Sequence, residues 1–146
     1  GYVGKITKVD VKPICDLLEK GYIPVVSTIG CDKEGNVYNI NADTAASYIA
    51  GAMKAERLIT MTDIPGILRD VNDPESLIKR VNIQEARQLF ADGIVTGGMI
   101  PKVECCIEAV ERGVHRVTIL DGRVPHAVLL ELLTDEGAGT TVKGMD

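Results

Sequence analysis

A lysine that follows a glycine pair is the first feature of this sequence that could do chemistry. Gly97 and Gly98 precede an apolar helical pattern, and Lys102 falls one turn into that pattern. Open backbone amides, the positive end of a helix dipole and an ammonium group together attract anions, most commonly phosphate. The alternative is a flexible loop with one solvated lysine, and the pattern GGxxxK alone does not decide between the two.

A polar segment at residues 38–43 (YNINAD) could supply a second group of ligands. If the chain is extended up to Asn41, the amides of Asn39 and Asn41 share a face, and Asp43 falls in the first turn of a following helix. A helix cap at Asn41 and an acid that favours the helix dipole explain Asn41 and Asp43 without any ligand. That structural explanation does not cover Asn39.

An acidic residue, Asp63, directly follows an apolar strand pattern in the segment 62–68 (TDIPGIL). A carboxylate at the end of a buried strand can accept hydrogen bonds from ribose hydroxyls or orient a cation. A turn built from Asp, Pro and Gly is the alternative, and composition alone favours that turn. A second glycine-rich stretch, 137–140 (GAGT), carries no P-loop lysine and predicts a tight turn rather than a phosphate cradle.

Other residue types argue against several functional classes. His115 and His126 form no recognisable triad with a nucleophile and a carboxylate, so a hydrolase is unsupported. The four cysteines lack zinc spacing, so we predict no metal site and expect buried or half-buried thiols in a reducing cytosol. They are Cys15, Cys31, Cys105 and Cys106. A dehydrogenase is a distant alternative because no GxGxxG follows the first strand pattern.

Length and composition indicate one soluble folded domain that spans residues 1–146. The chain has 146 residues, 45% of them hydrophobic, and a mean hydropathy of +0.11. Its net charge is −5, its basic residues are scattered, and it has no Trp and one Phe, so nucleic acid is not an expected partner. The chain shows neither a membrane-spanning run nor a signal peptide. Because it opens at Gly1 in a strand-like pattern, we expect a domain cut from a longer polypeptide.

Alternating strand and helix patterns predict a three-layer α/β/α sandwich with a mainly parallel central sheet. Strands are predicted over residues 3–9, 22–29, 57–61, 117–120 and 140–143, with a hairpin over 29–40. Helices are predicted over residues 10–21, 41–53, 83–91, 99–112 and 125–133. The strand over 22–29, the helix over 41–53 and the strand over 57–61 form a βαβ unit. In such sheets the ligand crevice lies at the C-terminal ends of the strands.

Five ordered segments resemble the amino acid kinase family, in the branch that phosphorylates N-acetyl-L-glutamate. They are 38–44 (YNINADT), 58–68 (LITMTDIPGIL), 93–106 (GIVTGGMIPKVECC), 119–123 (ILDGR) and 134–140 (TDEGAGT). The resemblance covers nearly the whole chain and implies a carbamate kinase-like fold. It also implies that the chain is the C-terminal, ATP-binding lobe of a longer kinase and is inactive alone.

The activity implied by this resemblance is transfer of the γ-phosphoryl group of ATP, with Mg²⁺, to the side-chain carboxylate of N-acetyl-L-glutamate in arginine biosynthesis. Lys102 matches the lysine that stabilises the phosphate, Asp43 matches the carboxylate that holds this lysine, and Asn39 and Asn41 match the substrate-binding segment. The residues that match the walls of the nucleotide pocket are Asp63, Ile64, Pro65, Gly66, Ile67, Leu68, Ile94, Val95, Thr96 and Met99.

The tail at residues 135–140 (DEGAGT) resembles that of the arginine-inhibited, hexameric branch. Glu136, Gly137 and Gly139 would hold L-arginine, and a dimer or hexamer is expected for the full-length enzyme. Some relatives bind the nitrogen-regulatory PII protein, and no motif here decides that interaction. The implied location is the cytoplasm, or the plastid in a plant or alga. Two alternatives are another amino acid kinase, such as aspartokinase, glutamate 5-kinase or uridylate kinase, and a non-catalytic nucleotide or arginine sensor.

Overall fold

The computed structural model describes residues 2–144 of the chain. The strands are β1 (Ile29–Cys31), β2 (Val37–Asn39), β3 (Arg57–Thr62), β4 (Arg80–Asn82), β5 (Arg116–Asp121) and β6 (Thr140–Lys143). The helices are α1 (Lys12–Glu19), α2 (Ala42–Ala52), α3 (Ile83–Ala91), α4 (Met99–Glu111) and α5 (Ala127–Leu133), with one 3₁₀ turn at Pro74–Ser76. No helix in residues 2–144 combines the length and apolar character needed to cross a membrane.

The central sheet has the strand order β3-β5-β6-β4. β3 runs parallel to β5 and β4 runs parallel to β6, while β5 and β6 are antiparallel. β1 and β2 form a separate antiparallel hairpin, as predicted for residues 29–40. The mainly parallel sheet is therefore confirmed, with one antiparallel pairing at its centre.

Helices cover both faces of the sheet, which confirms the three-layer fold. On one face, Val117 and Ile119 of β5 and Val142 of β6 pack in the core with residues of α2, α3 and α4. On the other face, the hydroxyl of Thr118 donates a hydrogen bond of 3.2 Å to Glu131 of α5. Alternate residues of one strand thus contact the two helical layers.

Local capping interactions explain where two of the helices begin. Asn41 caps α2, because its Oδ1 accepts a hydrogen bond of 3.0 Å from the backbone N–H of Thr44. Asn82 and Glu85 form a reciprocal capping box at the start of α3, with bonds of 2.9 and 2.8 Å. The predicted helices over 41–53 and 83–91 are confirmed.

Two predicted strands are absent. Residues 3–9 contribute only a single bridge between Val3 and Asn39. Residues 22–28 form no strand, and the side chains of Ile23 and Val25 are 90% and 95% exposed. Apolar β-branched residues favour a strand only where a neighbouring strand pairs with them. The carbonyl of Thr28 accepts a hydrogen bond of 2.9 Å from the N–H of Ile40, but no strand ladder forms over residues 22–28. The predicted βαβ unit therefore lacks its first strand.

Candidate active site

A cavity of about 750 Å³ lies between the loop that follows β3 and the amino end of α4. Its position at the C-terminal end of a parallel strand and its volume are typical of small-molecule sites, which span about 300–1,000 Å³. The residues that line the cavity are Asp63, Ile64, Pro65, Gly66, Ile67, Leu68, Arg69, Asp70, Val71, Gly93, Ile94, Thr96, Gly98, Met99 and Lys102.

All but one of the residues predicted to form a nucleotide pocket line this cavity. The exception is Val95, which is 3% exposed and packs in the hydrophobic core. Gly98, predicted with Lys102 as part of an anion site, also lines the cavity, whereas Arg69, Asp70, Val71 and Gly93 were missed and extend the two predicted wall segments along the chain. The sequence therefore predicted both wall segments of the cavity, but not how far along the chain each segment extends.

The loop after β3 is attached to the sheet through a buried hydroxyl. Oγ1 of Thr140, at the start of β6, accepts a hydrogen bond of 2.9 Å from the backbone N–H of Ile67. The same hydroxyl donates a bond of 2.7 Å to the carbonyl of Ile78. Gly66 has a φ of +137°, and a Cβ at this position would stand 2.5 Å from the Thr140 hydroxyl. Glycine is therefore required beside this bond.

Lys102 and Asp43 form an ion pair that joins two helices at the cavity. The Nζ atom of Lys102, on α4, lies 3.4 Å from Oδ2 of Asp43, in the first turn of α2. Both side chains are partly buried, with 28% and 30% of their surface exposed. Lys102 also lines the cavity and is the fourth residue of α4. A cation is thus held where the helix dipole is positive, an arrangement suited to a highly charged anion.

The two asparagines of the predicted substrate segment lie outside the cavity lining. The side chain of Asn41 accepts hydrogen bonds from the N–H and the hydroxyl of Thr44, at 3.0 and 3.3 Å, in its role as helix cap. Asn39 is exposed at the end of β2, and its backbone bonds to Tyr2 and Gly4.

A carboxylate at the end of β5 fixes the turn that lies beside β3. Oδ1 of Asp121 accepts bonds of 2.9 Å from the N–H and Nε of Arg123, and Oδ2 accepts one of 2.8 Å from Nη2. These bonds from Arg123 hold the pKa of the Asp121 carboxyl below its usual value. The next residue, Gly122, donates its N–H to the carbonyl of Thr62 at 2.7 Å. The two strand ends that precede the cavity are thereby joined.

The cysteines show no common environment. Cys106 is buried in the core, and this burial raises its thiol pKa to about 12. Cys105 and Cys15 are half-buried, and burial raises the pKa of Cys105 as well. The expectation of buried or half-buried thiols is wrong for Cys31, which is exposed at the end of β1.

A second cavity, of about 440 Å³, lies on the opposite face of the sheet beside α5. Glu136, Gly137 and Gly139, predicted to bind arginine, all line this cavity. Gly139 packs so closely on the carbonyl of Ile119 that a Cβ at this position would overlap that oxygen. Gly139 therefore serves a close backbone approach, and Gly137, with a φ of +67°, has the backbone conformation that the predicted tight turn needs.

The fold is a three-layer α/β sandwich with a small-molecule-sized cavity at the end of a parallel strand, and sequence comparison gives the family. Residues 1–121 match the Amino acid kinase family, so the chain belongs to this family. This result confirms the resemblance on which the site residues were chosen.

Individual relatives narrow this assignment. The chain is 56% identical over 144 residues to acetylglutamate kinase of Thermosynechococcus vestitus, covering 99% of this chain and 49% of that protein. It is 54% identical over 143 residues to acetylglutamate kinase of Methanosphaera stadtmanae, covering 98% of this chain and 48% of that protein. The chain thus spans about half the length of the curated relatives it matches.

Solved structures support the fold. N-acetylglutamate synthase from Neisseria gonorrhoeae, complexed with coenzyme A and L-arginine, superposes with a TM-score of 0.87 at 30% identity, over 98% of this chain and 32% of that one. Carbamate kinase from Giardia lamblia bound to AMP-PNP superposes with a TM-score of 0.68 at 19% identity, over 94% of this chain and 46% of that one. The second likeness concerns the fold alone and confirms the carbamate kinase-like architecture.

Proposed function

We propose that this chain is the ATP-binding half of an acetylglutamate kinase. With the remaining half, it would transfer the γ-phosphoryl group of ATP to the side-chain carboxylate of N-acetyl-L-glutamate. The observation that carries the proposal is the Lys102–Asp43 pair, held at 3.4 Å at one end of a nucleotide-sized cavity. The names of the two acetylglutamate kinases reported above support the choice of substrate.

Catalysis of this reaction requires electrostatic stabilisation rather than proton transfer. A carboxylate nucleophile has a pKa near 4 and is ionised at neutral pH, so no general base is needed. Two anions must nevertheless meet in line while negative charge spreads over the transferred oxygens. Fixed cations and dipoles that face these oxygens lower this barrier.

Lys102 is the cation that this chain would supply. Its ammonium group lies at the amino end of the 13-residue helix α4, so the charge and the helix dipole act on the same phosphate oxygens. Asp43 would act as a positioning residue, because its carboxylate restrains the flexible lysine from the facing helix. Asn39 and Asn41, which precede Asp43, would contact the acylated amino acid from the same end.

The rest of the cavity fits the nucleoside part of ATP. Ile64, Pro65, Ile94 and Met99 offer apolar walls to a base, and Asp63 offers a carboxylate to ribose hydroxyls. Within residues 2–144, no three His, Cys, Asp or Glu side chains come together as a metal site. Mg²⁺ would therefore be held chiefly by the phosphate oxygens, where it supplies charge neutralisation.

The alternatives are distinguished by particular residues. A non-catalytic sensor needs neither Lys102 nor Asp43, and the structure holds both in contact across two helices. Another amino acid kinase would share this pair but differ around the substrate hairpin, where the segment 38–43 favours acetylglutamate. Assembly of the full-length enzyme as a dimer or hexamer, association with PII and a cytoplasmic or plastid location remain predictions.

The second cavity is our candidate site for feedback inhibition by L-arginine. Glu136 offers a carboxylate for a guanidinium, and Gly137 and Gly139 line the same cavity. The N-acetylglutamate synthase that superposes on this chain was solved in complex with L-arginine. A protein with the same fold therefore binds this amino acid, which supports the proposed arginine site. Calorimetric titration with L-arginine, compared with the Glu136→Gln variant, tests this assignment.

A complementation assay tests the kinase proposal. The 146-residue chain is assayed for acetylglutamate-dependent release of ADP, alone and after addition of the other half of a full-length relative. We expect activity only in the mixture, and its loss with Lys102→Ala. Activity of the mixture that persists with Lys102→Ala, or that appears with aspartate, glutamate or uridylate in place of acetylglutamate, would overturn the proposed function.

A further inference from the structure

A row of basic residues crosses the sheet on the face that carries α5. Arg57 of β3 is the register partner of Arg116 of β5, and Arg116 is the register partner of Lys143 of β6. Register partners project from the same face on strands about 4.8 Å apart. We call these three residues the cationic row. It has no part in the phosphoryl transfer proposed above.

The arrangement is electrostatically unfavourable for the protein alone. Like charges directly opposite on neighbouring strands repel one another. Within residues 2–144, the guanidinium groups of Arg57 and Arg116 form no hydrogen bond or ion pair with a protein group. The carboxylate of Glu131, in the same cavity, is already bonded to the hydroxyls of Thr118 and Thr141 and to the N–H of Ala138. The protein therefore leaves two adjacent arginines without an anion.

The cationic row lines the 440 Å³ cavity, where two further basic side chains close the wall. Lys79 donates to the carbonyl of Gly137 at 3.5 Å, and Arg80 donates to the carbonyl of Asp135 at 2.7 Å. Five basic residues thus line one cavity, and they outnumber the three acidic residues in the same lining, Glu131, Asp135 and Glu136. Adjacent guanidinium groups match the paired oxygens of carboxylates and phosphates better than ammonium groups do.

We propose that the cationic row is a binding site for a small oxyanion with two or more negative charges, either a di- or tricarboxylate or a phosphate compound. The cavity is large enough for such a molecule and opens to solvent, since Arg57 and Arg116 are exposed. This site lies on the opposite face of the sheet from Lys102. The cationic row would bind a negatively charged group, whereas Glu136 is proposed to bind the positively charged guanidinium of L-arginine.

Calorimetry of the 146-residue chain with two probes, citrate and inorganic phosphate, tests the proposal. In the double variant Arg57→Gln/Arg116→Gln, affinity for the bound probe should fall at least tenfold. The matched control is Lys8→Gln/Lys33→Gln, which removes the same charge from exposed positions and should leave affinity within twofold. Arg57→Lys/Arg116→Lys keeps the charge but removes the guanidinium forks, and should give intermediate affinity.

Comparison of citrate with phosphate distinguishes a carboxylate ligand from a phosphate ligand. Binding of citrate alone assigns a carboxylate ligand, and binding of phosphate that survives Lys102→Ala assigns a phosphoryl ligand outside the nucleotide cavity. The proposal is overturned if neither probe binds the folded chain, or if the control variant loses as much affinity as the arginine variant. None of these outcomes depends on kinase activity, so the cationic row and the proposed function can fail separately.

Discussion

The hydroxyl of Thr140 lies 2.9 Å from the backbone nitrogen of Ile67, across 73 residues of chain, and the Thr140 side chain is fully buried. This contact connects the loop that forms one wall of the nucleotide cavity to strand β6. Because the same hydroxyl also donates to Ile78, one side chain satisfies two backbone groups of the loop. The shape of the cavity therefore depends on a residue that does not line it.

Removal of this hydroxyl should destabilise the protein. Thr140→Val keeps the side-chain volume but leaves the N–H of Ile67 without its partner in a buried position, at a cost of about 1–3 kcal/mol. Thr140→Ser keeps both hydrogen bonds and should cost less. Urea denaturation of the two variants measures the difference. Equal stability of the Val and Ser variants would show that the bond does not stabilise the loop.

Lys102→Ala should lower turnover of the full-length enzyme by at least about 10²-fold, because it removes the cation that faces the transferred phosphate. Asp43→Asn should lower turnover more than it lowers nucleotide affinity. Folding should change little, since a partly exposed pair contributes about 0–1 kcal/mol. Steady-state kinetics and thermal melting measure both effects, with Lys20→Ala as the control, because this exposed lysine lies outside the β1–β2 hairpin. A near-normal rate for Lys102→Ala would contradict the assignment.

The contact between Asp121 and Arg123 should make stability depend on pH in the acid range. The pKa of Asp121 lies below its ordinary value of 3.8, so the folded state favours the charged carboxylate. The contact therefore stabilises the protein above about pH 4, and this contribution is lost as the pH falls through the lowered pKa. Arg123→Gln should reduce the free energy of unfolding at pH 6 and have less effect near pH 2. A pH-independent difference between the two proteins would refute this account.

Thiol labelling should separate the cysteines by exposure. With a pKa of about 12, Cys106 has a thiolate fraction of about 10⁻⁴ at pH 8, and its burial also blocks reagents. Cys31 is exposed and should be alkylated first. Peptide mass spectrometry over a time course of iodoacetamide treatment reads the order directly. Labelling of Cys106 as fast as Cys31 in the folded chain would be inconsistent with the packing of α4.

Much of the fold and of the site could be predicted because the signals are local. Capping at Asn41 depends on residues within one turn, and the glycine pair before α4 marks the start of that helix. The order of the strand and helix patterns predicted the layers, and the family motifs predicted the cavity walls apart from Val95. These features require no knowledge of distant contacts.

The features that were missed depend on neighbours far away in the chain. The segment 22–28 has the composition of a buried strand, but composition does not reveal whether a second strand pairs with it. β4 has three residues, too few for a detectable alternation, and forms because β6 pairs with it. The role of Thr140 and the register of Arg57 with Arg116 follow from sheet pairing, which no local pattern contains.

Calorimetric titration of the 146-residue chain with Mg-ATP measures whether the cavity between β3 and α4 binds a nucleotide, and circular dichroism shows that the chain is folded. We expect saturable binding of one nucleotide per chain, weakened by Lys102→Ala and unchanged by Lys20→Ala. The absence of saturable binding by a demonstrably folded chain would contradict the assignment of the cavity between β3 and α4 as the nucleotide site.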